Sequence, residues 1–204
     1  MSVKSGERSV ITRARTGVFL VFGASGFAFS SFASRLPDVK RILDLTPGQL
    51  GTLLLATAAG SVIGLPLSGR IIKGVGTRRA VLAGMLITAC GMAAIAFGVD
   101  YLHNTVVIWV AMFTAGLGMG VWDVSMNHEG AEVERGLGRA IMPWFHAAFS
   151  GATVLSALVG SGMTALGVPI SVHLWAAVAV VVASCWYGVA LFLPIEDAAA
   201  EESA

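Results

Sequence analysis

An acidic residue, Asp123, stands at the end of an apolar run that is otherwise typical of a membrane span. Residues 106–122 carry no charge, and Asn127 follows Asp123 after about one helical turn. A charged side chain at the centre of a bilayer costs at least about 2.5 kcal/mol, so acids there usually face protein or water. A carboxyl group binds and releases protons, and an amide both donates and accepts hydrogen bonds. The pair therefore predicts a polar functional site inside the membrane.

The next apolar segment carries a second polar stripe that begins at His146. Histidine changes its charge between about pH 5 and 8, so it can exchange a proton under physiological conditions. At helical spacing, polar and small residues then recur along one face. The members of this stripe are His146, Ser150, Thr153, Ala157 and Thr164.

Asp123 and His146 lie at similar distances from a predicted turn at residues 135–138. Asp123 is 12 residues before Arg135, and His146 is 11 residues after it. At 1.5 Å per residue, both would lie roughly 16 Å from the turn. We therefore predict a shared polar cavity in which Asp123 and His146 couple to protons. The alternative is an inter-helix hydrogen bond from Asp123 that only holds the helices together.

Three further residues are predicted to contact a solute in this cavity. They are Asn127, Ser150 and Trp122. The hydroxyl of Ser150 has a structural alternative, because serines in membrane helices often bond to their own backbone.

Composition places the chain in a membrane. It has 204 residues, of which 56% are hydrophobic and 12% charged, and its mean hydropathy is +0.81. Soluble domains carry about 25% charged residues. The net charge of +1 gives no argument for a nucleic-acid partner. Cys90 and Cys185 lie in apolar runs and indicate neither a disulfide nor a metal site.

Six apolar segments are each near the roughly 20 residues that a membrane-spanning helix needs. They predict an all-α bundle over residues 16–193, between a basic, mobile segment 1–15 and an acidic tail 194–204. Ten Lys and Arg residues fall on one side of the bundle and three on the other, so the positive-inside rule predicts that both termini are cytoplasmic. We read the first segment as an uncleaved span. The segments are 16–34, 50–69, 80–98, 106–127, 141–168 and 170–193.

Local signals predict helix ends and helix packing. The first helix should end near Pro37, and Thr46, Pro47 and Gln49 form the pattern of a capping box at the start of the second. Short connections predict that consecutive helices are antiparallel neighbours. Small residues at four-residue spacing allow helices to approach closely in lipid. The main examples are Gly60 with Gly64, and Gly116 with Gly120.

Charged residues near the helix ends suggest ion pairs. We expect Arg35 to extend to the membrane interface and pair with Asp38; the alternative is that it guards an outer vestibule. Near the predicted turn, Glu132, Glu134, Arg135 and Arg139 suggest a cluster that could clasp Arg78 and Arg79. No spacing indicates a catalytic set, a cofactor or a metal, so we do not expect an enzyme.

The loop over residues 69–79 resembles the loop signature between the second and third helices of the major facilitator superfamily. Gly69, Gly76 and Arg78 match that signature, and Arg79 is a second basic residue at its end. Lys73 stands where the family has an aspartate. The stretches 116–127 and 142–151 resemble the fucose-permease-like branch, with Asp123 as the fourth-helix acid, Asn127 as the amide after it, and His146 in the fifth helix.

The resemblance implies a proton-linked symporter or permease for a small polar solute, in a bacterial inner membrane. Such transporters rock two six-helix halves around a central site. The chain would supply the N-terminal half, opposed by a second half or by another copy of itself. The alternatives are a non-transporting membrane interaction protein and an inactive fragment.

Overall fold

The computed structural model describes residues 2–194, with side chains from Arg8 onward. Within that range the chain is helical, without strands, and six of its helical segments are long and apolar enough to cross a membrane. The predicted all-α bundle of six spans is therefore confirmed. The predicted acidic tail, apart from Pro194, lies outside the described residues. The helices are α1 (Ser2–Ala33), α2 (Leu36–Ile42), α3 (Pro47–Val75), α4 (Thr77–Phe97), α5 (Thr105–Leu137), α6 (Met142–Ala165) and α7 (Ile170–Ala190), with a π-helical turn (Gly98–Leu102) after α4.

The first span differs from the prediction at its start. Helix α1 begins at Ser2, so it runs through the segment 1–15 that we expected to be separate and mobile. It ends at Ala33, close to the predicted end, and Pro37 then lies in the first turn of the short helix α2. Proline is tolerated there because the first helical N–H groups have no partner within the helix.

The predicted capping box at the start of α3 is confirmed. The Thr46 hydroxyl accepts a hydrogen bond from the Gln49 backbone N–H at 3.3 Å, and the Gln49 side chain accepts one from the Thr46 backbone N–H at 2.8 Å. Pro47 occupies the first turn, as the pattern indicates. Two backbone N–H groups that have no partner within the helix are thereby hydrogen-bonded.

Helix pairing follows chain order for α4 and α5 but not for the other consecutive spans, contrary to our expectation. Helix α5 packs mainly on α3 and α4, and α1 packs mainly on α6 and α7, whereas α5 and α6 scarcely touch. The pairing follows small residues that bring two backbones together. Gly26 of α1 lies against the Phe149 carbonyl of α6, and Gly17 of α1 lies against Gly188 of α7.

The four glycines predicted for packing lie where α3 crosses α5. A Cβ atom on Gly60 or Gly64 would collide with backbone atoms of α5, and one on Gly116 or Gly120 would collide with backbone atoms of α3. Close backbone contact of this kind favours association of helices in lipid, where the hydrophobic effect supplies little.

Replacing Gly60 by leucine should destabilise the bundle by about 1–3 kcal/mol or more, because the new side chain meets the Phe113 carbonyl. Thermal unfolding of the purified protein measures this effect. Gly51 provides the control in the same helix, since a Cβ there meets nothing within 4 Å. Equal unfolding temperatures for Gly60→Leu and Gly51→Leu would contradict the close crossing.

Candidate functional site

Asp123 lies on an exposed side of α5, and its carboxylate contacts only its own helix. The Asn127 side-chain amide donates to the Asp123 backbone carbonyl at 2.8 Å and approaches the carboxylate Oδ1 at 3.4 Å. Among the described residues, no side chain of another helix hydrogen-bonds this carboxylate. The structural alternative for Asp123, an inter-helix hydrogen bond, is therefore not found, and the carboxylate is available to a proton or a ligand.

His146 and Ser150 are exposed on α6, and α1 lies between them and α5. The imidazole of His146 packs edge-on against Phe22 of α1, with ring centroids 5.2 Å apart and an interplanar angle of 85°. It also lies near enough to the Asp123 carboxylate for their charges to interact. Asp123 and His146 thus lie within electrostatic range of each other, although α5 and α6 make few contacts.

Trp122 is not part of this surface. Its side chain is 0% exposed, and its backbone lies against Gly84 of α4. Consecutive helical residues point about 100° apart, so a core tryptophan and an exposed aspartate can be neighbours in sequence. Trp122 is therefore a core residue, and the structure does not support its predicted contact with a solute.

The predicted stripe on α6 divides into two functions. Thr153 donates to the Phe149 carbonyl at 2.9 Å and approaches the Gly26 carbonyl of α1 at 3.3 Å. Thr164 donates to the Asp38 carboxylate at 2.7 Å. These two hydroxyls hold helices together, whereas the exposed His146 and Ser150 side chains make no hydrogen bond among the described residues.

Arg35 and Asp38 form a buried ion pair at the end of the bundle where α1 stops. The guanidinium Nε lies 3.1 Å from the Asp38 carboxylate, and Arg35 also donates to the Val168 carbonyl at 2.6 Å. The predicted pairing is confirmed. The predicted extension to the membrane interface is wrong, because Arg35 is only 3% exposed. The pair joins α2 to the α6–α7 connection, and Arg41 adds a second contact to Asp38 at 2.8 Å.

Charges at the opposite end of the bundle, where α3 meets α4, are divided among separate contacts. Arg135 pairs with Glu132, whereas Glu134 accepts from the backbone N–H groups of Ile141 and Met142, both at 2.7 Å, and so caps α6. Arg79 is exposed and makes no side-chain hydrogen bond among the described residues. The predicted single cluster is therefore not formed.

The loop-motif residues take different positions at this end. Gly76 alone links α3 to α4 and has a φ of +81°, a backbone conformation that glycine adopts readily. Gly69 faces open space. Arg78 donates to the Phe192 carbonyl at 2.6 Å, which ties the start of α4 to the end of α7.

Glu129 is a buried acid that our sequence analysis did not select. Its carboxylate accepts a hydrogen bond from the Leu193 backbone N–H at 2.9 Å, next to the contact that Arg78 makes with Phe192. The available signal was its position on the same helical face as Met126 and Val133, both of which are buried. The described residues contain no group of three or more His, Cys, Asp or Glu side chains placed to hold a metal ion.

Six apolar helices with a polar group on one exposed side define a multi-pass membrane protein, and comparisons relate it to transporters. The chain is 32% identical over 158 residues to "Uncharacterized transporter y4wD" of Sinorhizobium fredii, covering 77% of this chain and 41% of that protein. It is 30% identical over 152 residues to an "Uncharacterized MFS-type transporter" of Yersinia pestis, covering 72% and 38%.

A weaker similarity links the chain to a "Multidrug resistance protein B homolog" of Mycobacterium tuberculosis, with 28% identity over 96 residues, 45% of this chain and 17% of that protein. No protein-family model and no solved structure matches the chain. The chain spans about half the length of the first two relatives.

Proposed function

We propose that the chain acts as the N-terminal half of a major facilitator transporter of the fucose-permease-like branch. The complete assembly would move a small polar solute together with protons, by alternating access in a bacterial inner membrane. The similarity to MFS-type transporters, the six spans and the loop residues Gly69, Gly76 and Arg78 support this proposal. The excess of Lys and Arg at the end that carries the start of α1 supports cytoplasmic termini.

One observation carries the proposal. Asp123, Asn127, His146 and Ser150 lie on the surface of a bundle whose other exposed side chains are largely apolar. An acid, an amide and an imidazole are costly in contact with lipid. An opposing wall with water between the two surfaces removes that cost. A second six-helix half, or a second copy of this chain, would supply that wall.

The chemistry of these residues fits proton-linked movement of a solute. Among the described residues, no other helix donates a hydrogen bond to the Asp123 carboxylate, so it can bind a proton in one state of the assembly and release it in another. The His146 side chain lies within electrostatic range of this carboxylate, so a second group that can carry a charge stands beside it. Asn127 and Ser150 offer hydrogen bonds to the solute, and rocking of the two halves would expose this site to each side in turn.

Cysteine labelling tests whether this face is in contact with water. In a background lacking Cys90 and Cys185, Ser150→Cys should react with a water-soluble maleimide at least about 10-fold faster than Leu155→Cys, because the reactive thiolate forms only in water. Leu155 is the control, since it is 57% exposed on the same helix and points about 140° away from Ser150.

Equally slow labelling at both positions would mean that this face contacts lipid, and the transport proposal would fail. Fast labelling at Ser150, together with a stable partner and no solute-dependent proton movement, would instead favour the interaction protein.

A further inference from the structure

A cavity of about 370 Å³ lies between α1, α3 and α5, and α4 forms its floor. Its volume falls within the range of about 300–1,000 Å³ that is usual for sites of small ligands. The wall is almost entirely apolar. Side chains that line it include Ala28, Phe29, Leu54, Met92 and Met119.

The cavity is built entirely by this chain and is open on one side. Phe29 is 50% exposed and Leu54 is 44% exposed at its wall, whereas Met92 at the floor is buried. Helices α1 and α3 both pack on α5 but make few contacts with each other. The opening of the cavity therefore lies between α1 and α3. A ligand could therefore enter without any rearrangement of the core.

The cavity adjoins the polar site on the same helix face. Met119, which lines the cavity, is four residues before Asp123, so their side chains lie one turn apart on the same side of α5. Ser25 of α1 donates to the Met119 sulfur at 3.5 Å, which ties this part of α5 to α1. From Gly116 in the cavity to Asp123 is 7 residues, a distance of roughly 10 Å along the helix axis.

Three polar side chains line the cavity, those of Thr57, Ser61 and Thr88. The Thr88 hydroxyl already donates to the Gly84 carbonyl at 2.9 Å. The Thr57 hydroxyl is buried and has no hydrogen-bond partner, and Thr57 lines the cavity. A free sugar, which presents hydroxyls on all sides, would lose most of its hydrogen bonds to water on entering this space.

We propose that this cavity binds the apolar part of an amphiphilic amine, whose charged nitrogen lies at the Asp123 carboxylate. The inference rests on the proposed function, because it names the class of solute handled at the same polar site. Opposite charges at Asp123 and the amine complement each other, and the apolar body fills the space toward Met92.

Binding of radiolabelled phenylbutylamine to the full chain in lipid nanodiscs tests this proposal. Phenylbutylamine should bind at least about 10-fold tighter than methylamine, because only the former buries an apolar ring. Ala58→Trp places an indole ring in the cavity and should weaken the binding of phenylbutylamine about 10-fold. Ala59→Trp is the matched control, because Ala59 is an exposed alanine on the same helix but does not line the cavity.

The neutral analogue phenylbutanol distinguishes the apolar part of the site from the charged part. Binding of phenylbutanol should be weakened by Ala58→Trp but not by Asp123→Asn, whereas binding of phenylbutylamine should be weakened by both substitutions. No saturable binding, equal effects of Ala58→Trp and Ala59→Trp, or insensitivity of the amine to Asp123→Asn would overturn the proposal. Displacement of phenylbutylamine by oleate to the same extent in the chain and in Asp123→Asn would identify a lipid site and also overturn it.

Failure of the amine site and failure of the proposed function give different results. If proton movement depends on Asp123 but Ala58→Trp has no effect on amine binding, the transport proposal stands and the amine-site proposal is wrong. Cavity binding as predicted, without any proton movement, would remove the proposed transport.

Discussion

Asp38→Asn is expected to lower the free energy of unfolding by about 3–5 kcal/mol, one of the two largest effects we predict. Removing one partner of a buried ion pair leaves the other charge uncompensated, which is the costly step. Arg35 would then remain enclosed, with its carbonyl contact to Val168 but without a counter-charge. Thr164 would lose an ionised acceptor at the same time. Chemical or thermal unfolding in detergent measures the loss.

Asp44→Asn serves as the matched control, since Asp44 is an exposed aspartate six residues further along the chain. Its backbone has a φ of 49°, which asparagine tolerates, so its stability should change by less than about 0.5 kcal/mol. The double variant Arg35→Met with Asp38→Leu should recover much of the loss, because apolar replacement of a buried pair is often neutral. An Asp38→Asn variant as stable as Asp44→Asn would show that this pair is solvated.

Features that depend on residues close in sequence were predictable. The capping box needs only Thr46, Pro47 and Gln49, whose types and spacing fix the contacts. The number of spans follows from the lengths of apolar runs. The pairing of Arg35 with Asp38 also lies within one helical turn.

Contacts between distant segments could not be read from the sequence. Arg35 bonds to Val168, 133 residues away, and Glu129 to Leu193, 64 residues away. Each contact depends on which helices are neighbours, and many glycines were available as packing sites. The sequence shows that Gly60 and Gly116 favour close contact, but not that they face each other's helix.

The candidate site was predictable only in part, because it combines residues close in sequence with residues on different helices. The type and spacing of Asp123 and Asn127 identify one face of α5, since a helix repeats every 3.6 residues. Trp122 was predicted to contact the solute, but the 100° step between it and Asp123 places its side chain in the core. Equal distances to the turn predicted that His146 lies near Asp123, but the sequence did not show that α6 packs on α1 and scarcely touches α5.

Asp123→Asn is expected to reduce solute-dependent proton movement at least about 10-fold, the largest effect on activity that we predict. Asparagine keeps the size and polarity of the side chain but cannot bind and release a proton. Solute exchange that does not involve protons should persist, and its dependence on pH should weaken. Membrane vesicles containing the protein and a pH-sensitive dye, supplied with a panel of sugars, amines and organic acids, measure both quantities.

Glu132→Gln is the control on the same helix, because Glu132 lies nine residues after Asp123 and pairs only with Arg135. Its removal should leave proton movement within about 2-fold of the original, as expected for an exposed ion pair. If Asp123→Asn and Glu132→Gln have equal effects, the carboxylate at position 123 is not the proton site. If both proton movement and exchange disappear only in Asp123→Asn, the acid holds the solute as well, because one exposed carboxylate then serves both ligands in turn.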